Sequence, residues 1–490
     1  MDLKRRLHEI EKVIAEGPYS PDWESLYGRT MPAFMREGKF GIFIHWGPYS
    51  VPAFNNEWYS RNMYREGTPE FAHHVETYGP HKDFGYKDFI PLFSAPSFDP
   101  AAWADLFSQA GARYCIPVAE HHDGFQMYKS NLSRWNAFEM GPKRDVLGEL
   151  HGALKKRGII CGGSTHRLEH WFFMGHGKNF ESDVKEPLQR GDFYWPAMKE
   201  PPLHDLFGEP APSEEFLEDW FLRCCELVDS YKPRVIYFDW WIQHEAAKKR
   251  LKQFAAYYYN RAAQWGEEVT ICYKHDAFPF GCATVDIERG RFAGIQPFHW
   301  QTDTSIARNS WCWTNSNTFK TAPSLIRDLL DIVSKNGVLL LNVGPKAEGI
   351  ISDEETRVLK EMGAWLAVNG EAVYKTGVWR RAEEGPTQTI EGQFTDGEDP
   401  VFSSQDIRFT AKGGTVYASV LSWPEDGKVT IRSLAEQDAS KLPVFHGIIQ
   451  DLAILGEEAK PRWERNAEGL QVQGPPGKRS MPVVIKITVD

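Results

Sequence analysis

The chain has 490 residues, enough for one large domain with a smaller one or for three of ordinary size. Hydrophobic residues make up 42% and charged residues 25%, a globular balance rather than a disordered one. A formal net charge of −11 excludes a non-specific nucleic-acid binder, and no run of about 18 apolar residues is present to suggest a membrane span.

In chain order, MDLKRRLHEIEKVIAEG reads as a charged helical leader over residues 1–30, without the apolar core of a secretion signal. A cytoplasmic location is the resulting expectation. Seven scattered cysteines without a CxxC pair are read as reduced thiols. From 31 to 372, short apolar runs alternate with amphipathic helices. KFGIFIHW (39–46), RYCIPVA (113–119), IICGG (159–163), RVIYF (234–238), EVTICYK (267–273) and GVLLLNV (337–343) read as strands. Helices open at Asp99-Pro100, at Ser213 and at the capping box Ser352–Glu355. Strands apolar on both faces and separated by helices predict a parallel sheet, and their number favours a (β/α) barrel of seven or eight strands. No glycine-rich phosphate loop follows any strand. From 375 to 490 the pattern changes to period-two alternation around turns such as Gly413-Gly414 and Asp426-Gly427, which predicts a C-terminal antiparallel β-sandwich with a structural role.

In a (β/α) barrel the C-terminal ends of the strands form the active-site face. Here those ends are polar. The first carries His45 and Trp46, with Glu57 and Trp58 just beyond. The second carries Glu120, His121, His122 and Asp123, the third His166, Glu169 and His170, and the fourth Asp239 with two tryptophans. YKHD (273–276), Asp286, Glu288 and FHWQTD (298–303) complete the set. The HHD cluster contains metal-ligand types, but adjacent strand residues point to opposite faces, so His121 and His122 are not expected to share an ion. Neutral imidazoles, indole faces and paired carboxylates suit a sugar. Carboxylates and imidazoles bind hydroxyls, indoles cover a C–H face, and two carboxylates suffice to cleave a glycosidic bond.

KFGIFIHWGPYSVPAFNNEWYSRNMY (39–64), EHHDGFQMYKSNLSRWNAFEMGPKRDVLGEL (120–150), YKPRVIYFDWW (231–241) and the segment from WQTDTSIARNSWCW to KNGVLLLNVGPKAEGIISDEE (300–355) resemble the α-L-fucosidases of glycoside hydrolase family 29. The resemblance implies a (β/α) barrel with a C-terminal β-sandwich and retaining hydrolysis of terminal α-L-fucosides on an oligosaccharide or glycoconjugate, with no metal or organic cofactor. It implies Asp239 as nucleophile. His45, Glu57, His121 and His122 match the hydroxyl ligands, His166 is nearest the third-strand position, and Trp300 would lie near the sugar methyl, with Trp46 and Trp58 as further pocket indoles. Many members carry Trp-Glu where this chain has Trp300-Gln301, and that glutamate is their acid/base. A neutral amide cannot fill the role. Glu288 is the first candidate to replace it, Glu57 the second and Asp303 the third. Rival readings are a glycosidase for another galactose-configured sugar, a metal-dependent hydrolase on the HHD cluster, and a fucose-binding protein with weak or no hydrolysis. The oligomeric state stays open, a homo-oligomer included.

Overall fold

The computed structural model describes residues 2–202, 206–397, 400–436 and 445–490. Eight parallel strands close into a barrel. They are β1 (Phe40–Ile44), β2 (Tyr114–Glu120), β3 (Ile160–Cys161 and Gly163–Thr165, broken at Gly162), β4 (Val235–Phe238), β5 (Thr270–Tyr273), β6 (Thr284–Glu288), β7 (Trp300–Ser305) and β8 (Gly337–Val343). Each pairs with its chain neighbour, and β1 closes the ring by pairing with β8, Phe40 opposite Leu339 and Ile44 opposite Val343.

The sequence expectation omits β6 and β7 as strands, although it counts Asp286, Glu288 and Asp303 among the polar residues of the site. The reason is physical. Both strands place polar side chains at buried positions: Asp286 and Glu288 on β6, Gln301 and Asp303 on β7. Neither therefore reads as an apolar run. No α-helix lies between β5 and β6 or between β6 and β7. Elsewhere helices cover the strands as expected: α1 (Leu3–Glu16), α2 (Pro100–Gln109), α3 (Val146–Lys156), α4 (Glu214–Tyr231), α5 (Lys248–Trp265), α6 (Ala322–Ser334) and α7 (Asp353–Asn369). Three of their starts are the ones the sequence marks. Asp99 accepts from Ala101 and Ala102 N–H, Ser213 from Phe216 N–H, and Ser352 and Glu355 form a reciprocal box. The N-terminal helix is part of the barrel rather than a leader. Its Ile10 is fully buried against the α4–α5 layer, and Arg6 pairs with Asp229 of α4. No helix among the described residues is long and apolar enough to cross a membrane.

The C-terminal strands are β9 (Gly377–Glu384), β10 (Ile407–Lys412), β11 (Thr415–Val420), β12 (Lys428–Ile431), β13 (Ile449–Ile454), β14 (Arg462–Asn466), β15 (Gly469–Gln473) and β16 (Val483–Val489). They form a five-stranded sheet in the order β9-β10-β11-β16-β13 and a three-stranded sheet β12-β15-β14, antiparallel throughout. Residues of both sheets share one apolar core, among them Phe409, Ile431, Leu470 and Ile485. The sandwich is tied to the barrel through buried charge. Asp331 on α6 accepts from Lys335, 2.8 Å, and from Arg408 of β10, 2.6 Å. Burial opposes its charge, yet Arg408, Lys335 and Arg291 hold the carboxyl well below the usual range.

Candidate active site

The strand ends converge on a cavity of about 490 Å³ at the C-terminal face of the barrel. Asp239, at the end of β4, lines it. Its Oδ2 lies 2.9 Å from His166 Nδ1 and 3.4 Å from His122 Nε2, and its Oδ1 lies 3.4 Å from Lys274 Nζ. Burial would raise the Asp239 carboxyl. Lys274, His166 and His122 outweigh it and hold the group well below the carboxylate range. It is therefore an ionised oxygen nucleophile or base at neutral pH.

Glu288 ends β6 on the same side. Its Oε2 accepts from Lys274 Nζ at 2.9 Å and from the Trp240 indole N–H at 2.8 Å. Burial raises this carboxyl, and the charges on Asp239 and Asp303 add to the rise that Lys274 opposes. Two acids thus share one ammonium, one pushed towards its charged form and the other towards its neutral form, which is the division of labour of an acid and a nucleophile. Lys274 also lies 3.3 Å from Asp303, which accepts from the Tyr237 hydroxyl at 2.6 Å and from the Arg289 N–H at 3.2 Å. Burial disfavours the ammonium, but Asp303, Glu288, Asp239 and Asp286 keep it charged.

Around this charged centre stand the imidazoles. Burial keeps His45 neutral. Its Nδ1 donates to Asn342 Oδ1 at 2.7 Å, and Asn342 is itself oriented by donating to Ser305 and to the Trp311 carbonyl, so Nε2 of His45 is left as an acceptor. His166 is also held below its usual range by burial. Its Nδ1 donates to Asp239 while Nε2 accepts from the Ser164 hydroxyl at 2.9 Å. For His122 burial opposes charge, but Glu169 and Asp239 carry the ring up to about 9. Its Nδ1 donates to the His166 carbonyl. Sets of three donors, His45–His121–His166 and His122–His166–Asp239, lie close enough to hold an ion. Several of those nitrogens are already engaged by Asn342, Ser164, Asp239 and backbone carbonyls, so the imidazoles are arranged for hydrogen bonding. Glu57 accepts from the Trp311 N–H at 3.1 Å and from the Ser310 hydroxyl at 3.3 Å, and burial raises its carboxyl.

His45, Glu57, Trp58, His121, His122, His166, Asp239 and Glu288 all line the cavity. The expectation that His121 and His122 face apart is corrected. β2 ends at Glu120, both imidazoles sit on the turn beyond it, and their ring centroids are 4.4 Å apart. Trp46 and Trp300 are not pocket residues. Each stands beside an inward-facing strand residue, so strand alternation turns it outward. Trp46 packs on Phe93, Phe98 and Trp103 and donates to the Lys346 carbonyl. Trp300 packs on Phe292 and donates to the Lys335 carbonyl just beyond α6. The indole stacked on His45 is Trp311, 5.1 Å away, on the loop after β7. Of the two tryptophans after Asp239, Trp240 lines the cavity and Trp241 packs on Trp171 and Phe172. Glu120 and Asp123 are structural: Glu120 pairs with Arg167 and Arg223, and Asp123 accepts from the Tyr86 hydroxyl.

Gln301 is likewise not at the pocket. It lies fully buried in the barrel interior, donating from Nε2 to Asp286 at 2.7 Å and accepting from the Tyr114 hydroxyl at 3.2 Å. The missing glutamate therefore leaves no gap in the wall of the cavity. Gln301→Glu is expected to lower stability by about 1–3 kcal/mol, because an acceptor replaces the donor that Asp286 uses. Thermal denaturation would show that loss, and kcat/KM on substrates with poor leaving groups should not rise.

Lys274, Trp311 and Phe394 were not anticipated. Lys274 was visible in YKHD at a strand end, but a lysine among histidines and acids does not by itself suggest a site. Trp311 follows β7 by several residues, and Phe394 comes from beyond the barrel altogether.

Two family models match the chain: alpha-L-fucosidase over residues 7–371, and alpha-L-fucosidase C-terminal domain over 402–488. The tissue alpha-L-fucosidase of Rattus norvegicus is 31% identical over 482 residues, covering 95% of this chain and 91% of its own length. That of Homo sapiens is 32% identical over 448 residues, covering 89% and 84%. A crystal structure of Thermotoga maritima alpha-fucosidase in complex with a mechanism-based inhibitor superposes with a TM-score of 0.75 at 28% identity, covering 96% of this chain and all of the other. A complex of the Thermotoga enzyme with fucose gives a TM-score of 0.74.

Proposed function

The chain belongs to the alpha-L-fucosidase family and is a glycoside hydrolase, and from that premise we propose that it releases terminal α-L-fucose from glycans or glycoconjugates with retention of anomeric configuration. The observation that carries the stereochemical part is the ammonium of Lys274 held between Asp239 and Glu288, at 3.4 Å and 2.9 Å. Laid end to end, those two contacts span less than the roughly 6.5–9.5 Å that separates an inverting pair, and the retaining range is about 5–5.5 Å.

In this mechanism Asp239 Oδ attacks the anomeric carbon while Glu288 gives its proton to the departing glycosidic oxygen. A covalent glycosyl-enzyme and a free aglycone result. Glu288, now a carboxylate, takes a proton from water as the water oxygen attacks the same carbon, and Asp239 leaves as a carboxylate. Before attack the negative charge sits on Asp239, and after it on Glu288. Lys274 neighbours both, so one fixed cation serves each half-reaction with little reorganisation. His45, His121, His122, His166 and Glu57 bind the sugar hydroxyls, with Trp58 and Trp311 as indole walls.

The test is the anomeric proton signal during hydrolysis of an aryl α-L-fucoside. α-L-Fucose should appear first and mutarotate afterwards. β-L-Fucose as the first product would overturn the retaining assignment. Turnover of another aryl glycoside in preference to the fucoside would overturn the sugar assignment.

A further inference from the structure

Between β9 and β10 the chain leaves the sandwich and returns to the barrel. Residues 392–396 run alongside 288–291, immediately beyond β6. Arg291 and Gly392 exchange backbone hydrogen bonds at 3.0 and 3.1 Å, the Phe394 N–H donates to the Glu288 carbonyl at 3.0 Å, and the Thr395 N–H donates to the Arg289 carbonyl at 2.8 Å. The close approach requires Gly290, where an added Cβ would sit 1.9 Å from the Gly392 oxygen. The segment is pinned by Asp396, which pairs with Arg289 at 3.2 Å and with Lys320, and accepts from the Thr304 hydroxyl.

Within this anchored strap Phe394 is anomalous twice over. Its backbone is in the left-handed region, with φ +54°, a conformation strained for a non-glycine residue. Its side chain is 57% exposed although it lines the cavity, and its ring stacks on no other aromatic ring among the described residues. An unstacked phenyl held in a strained backbone at a pocket mouth is positioned for something outside the protein.

The side of the cavity tells what. A group that protonates the leaving oxygen must stand beside the leaving group, and Phe394 is hydrogen-bonded through its backbone to Glu288. Resting on the assignment of Glu288 above, we propose that Phe394 is the platform for the aglycone: its ring takes the flat face of the sugar or aryl group being released. The barrel recognises the fucose, and the segment joining it to the sandwich recognises what the fucose is attached to. Stacking on one aromatic ring is worth about twofold to tenfold in binding.

The experiment compares Phe394→Ala with the parent enzyme on 4-nitrophenyl α-L-fucoside and on α-L-fucosyl fluoride, whose leaving group has no face to stack. The ratio of kcat/KM for the aryl substrate over the fluoride should fall by about fivefold to tenfold in the variant, through KM for the aryl substrate, and Phe394→Trp should restore it. An unchanged ratio, or an equal loss on both substrates, would overturn the platform and leave Phe394 a structural residue. If the parent enzyme cleaves neither substrate, the fucosidase reading itself fails and the platform falls with it, a result distinct from a ratio that does not move.

Discussion

Asp239→Asn is expected to lower kcat/KM on an aryl α-L-fucoside by on the order of 10³-fold or more, with the fold retained. The magnitude follows from removing the atom that forms the covalent bond in the proposed mechanism, rather than one that assists it. The fold should survive because an asparagine side chain has the same shape, and Lys274 keeps its contacts with Glu288 and Asp303. Melting temperature and circular dichroism separate a dead but folded enzyme from an unfolded one. The stronger discriminator is Asp239→Gly in the presence of azide. With the carboxylate gone, azide can attack the anomeric carbon from the vacated face, giving β-L-fucosyl azide by a single inversion. Near-normal turnover in Asp239→Asn, or no azide product from Asp239→Gly, would remove Asp239 from the nucleophile role.

Glu288→Ala should produce the complementary pattern. Loss of a general acid typically costs 10²–10⁴-fold. The full loss should appear on substrates with poor leaving groups and much less of it on a dinitrophenyl fucoside, which departs without protonation. Azide should now intercept the glycosyl-enzyme and give α-L-fucosyl azide, the product of two inversions. The pH profile adds a third signature. In the proposed mechanism Glu288 acts in its neutral form, and burial, with Asp239 and Asp303 adding to it, raises its carboxyl above the ordinary range. Activity of the parent should therefore fall as pH rises through that value, and the fall should be absent in the variant. Should Glu57→Ala display the azide product instead, the two glutamates exchange roles. Glu57 is the weaker candidate because Trp311 N–H and Ser310 hold it, whereas Glu288 shares the ammonium beside Asp239.

Much of this site could be read before any coordinates. β1, β2, β4 and β8 are legible because both faces of each are buried and apolar, and their C-terminal ends announce His45, His121, His122 and Asp239. Two kinds of feature were not. Strands β6 and β7 carry their polar side chains inward, so hydrophobicity conceals them even though Glu288 and Gln301 were both noticed. Orientation was also hidden. A strand end offers neighbours to opposite sides, and counting tryptophans near the site could not tell that Trp46 and Trp300 face the helices while Trp311 faces the sugar pocket. The resemblance to the family drew attention to position 301 as a defect, whereas packing makes that amide part of an interior network with Asp286 and Tyr114. Phe394 was invisible for a different reason: the change to alternating patterning after residue 375 suggested a separate domain, and nothing local says that its first long connection folds back.

That return path bears on the order in which the enzyme becomes complete during synthesis. The last barrel strand, Gly337–Val343, precedes the strap in the chain, so the ring of strands can close while residues 392–396 are still inside the ribosome. At that moment the carboxylates and imidazoles are in place, but the rim beside Glu288 has not been laid down. A nascent chain whose barrel closed at that point would hold a formed floor and an open wall, completed only when a short stretch of the following domain is laid back across its mouth.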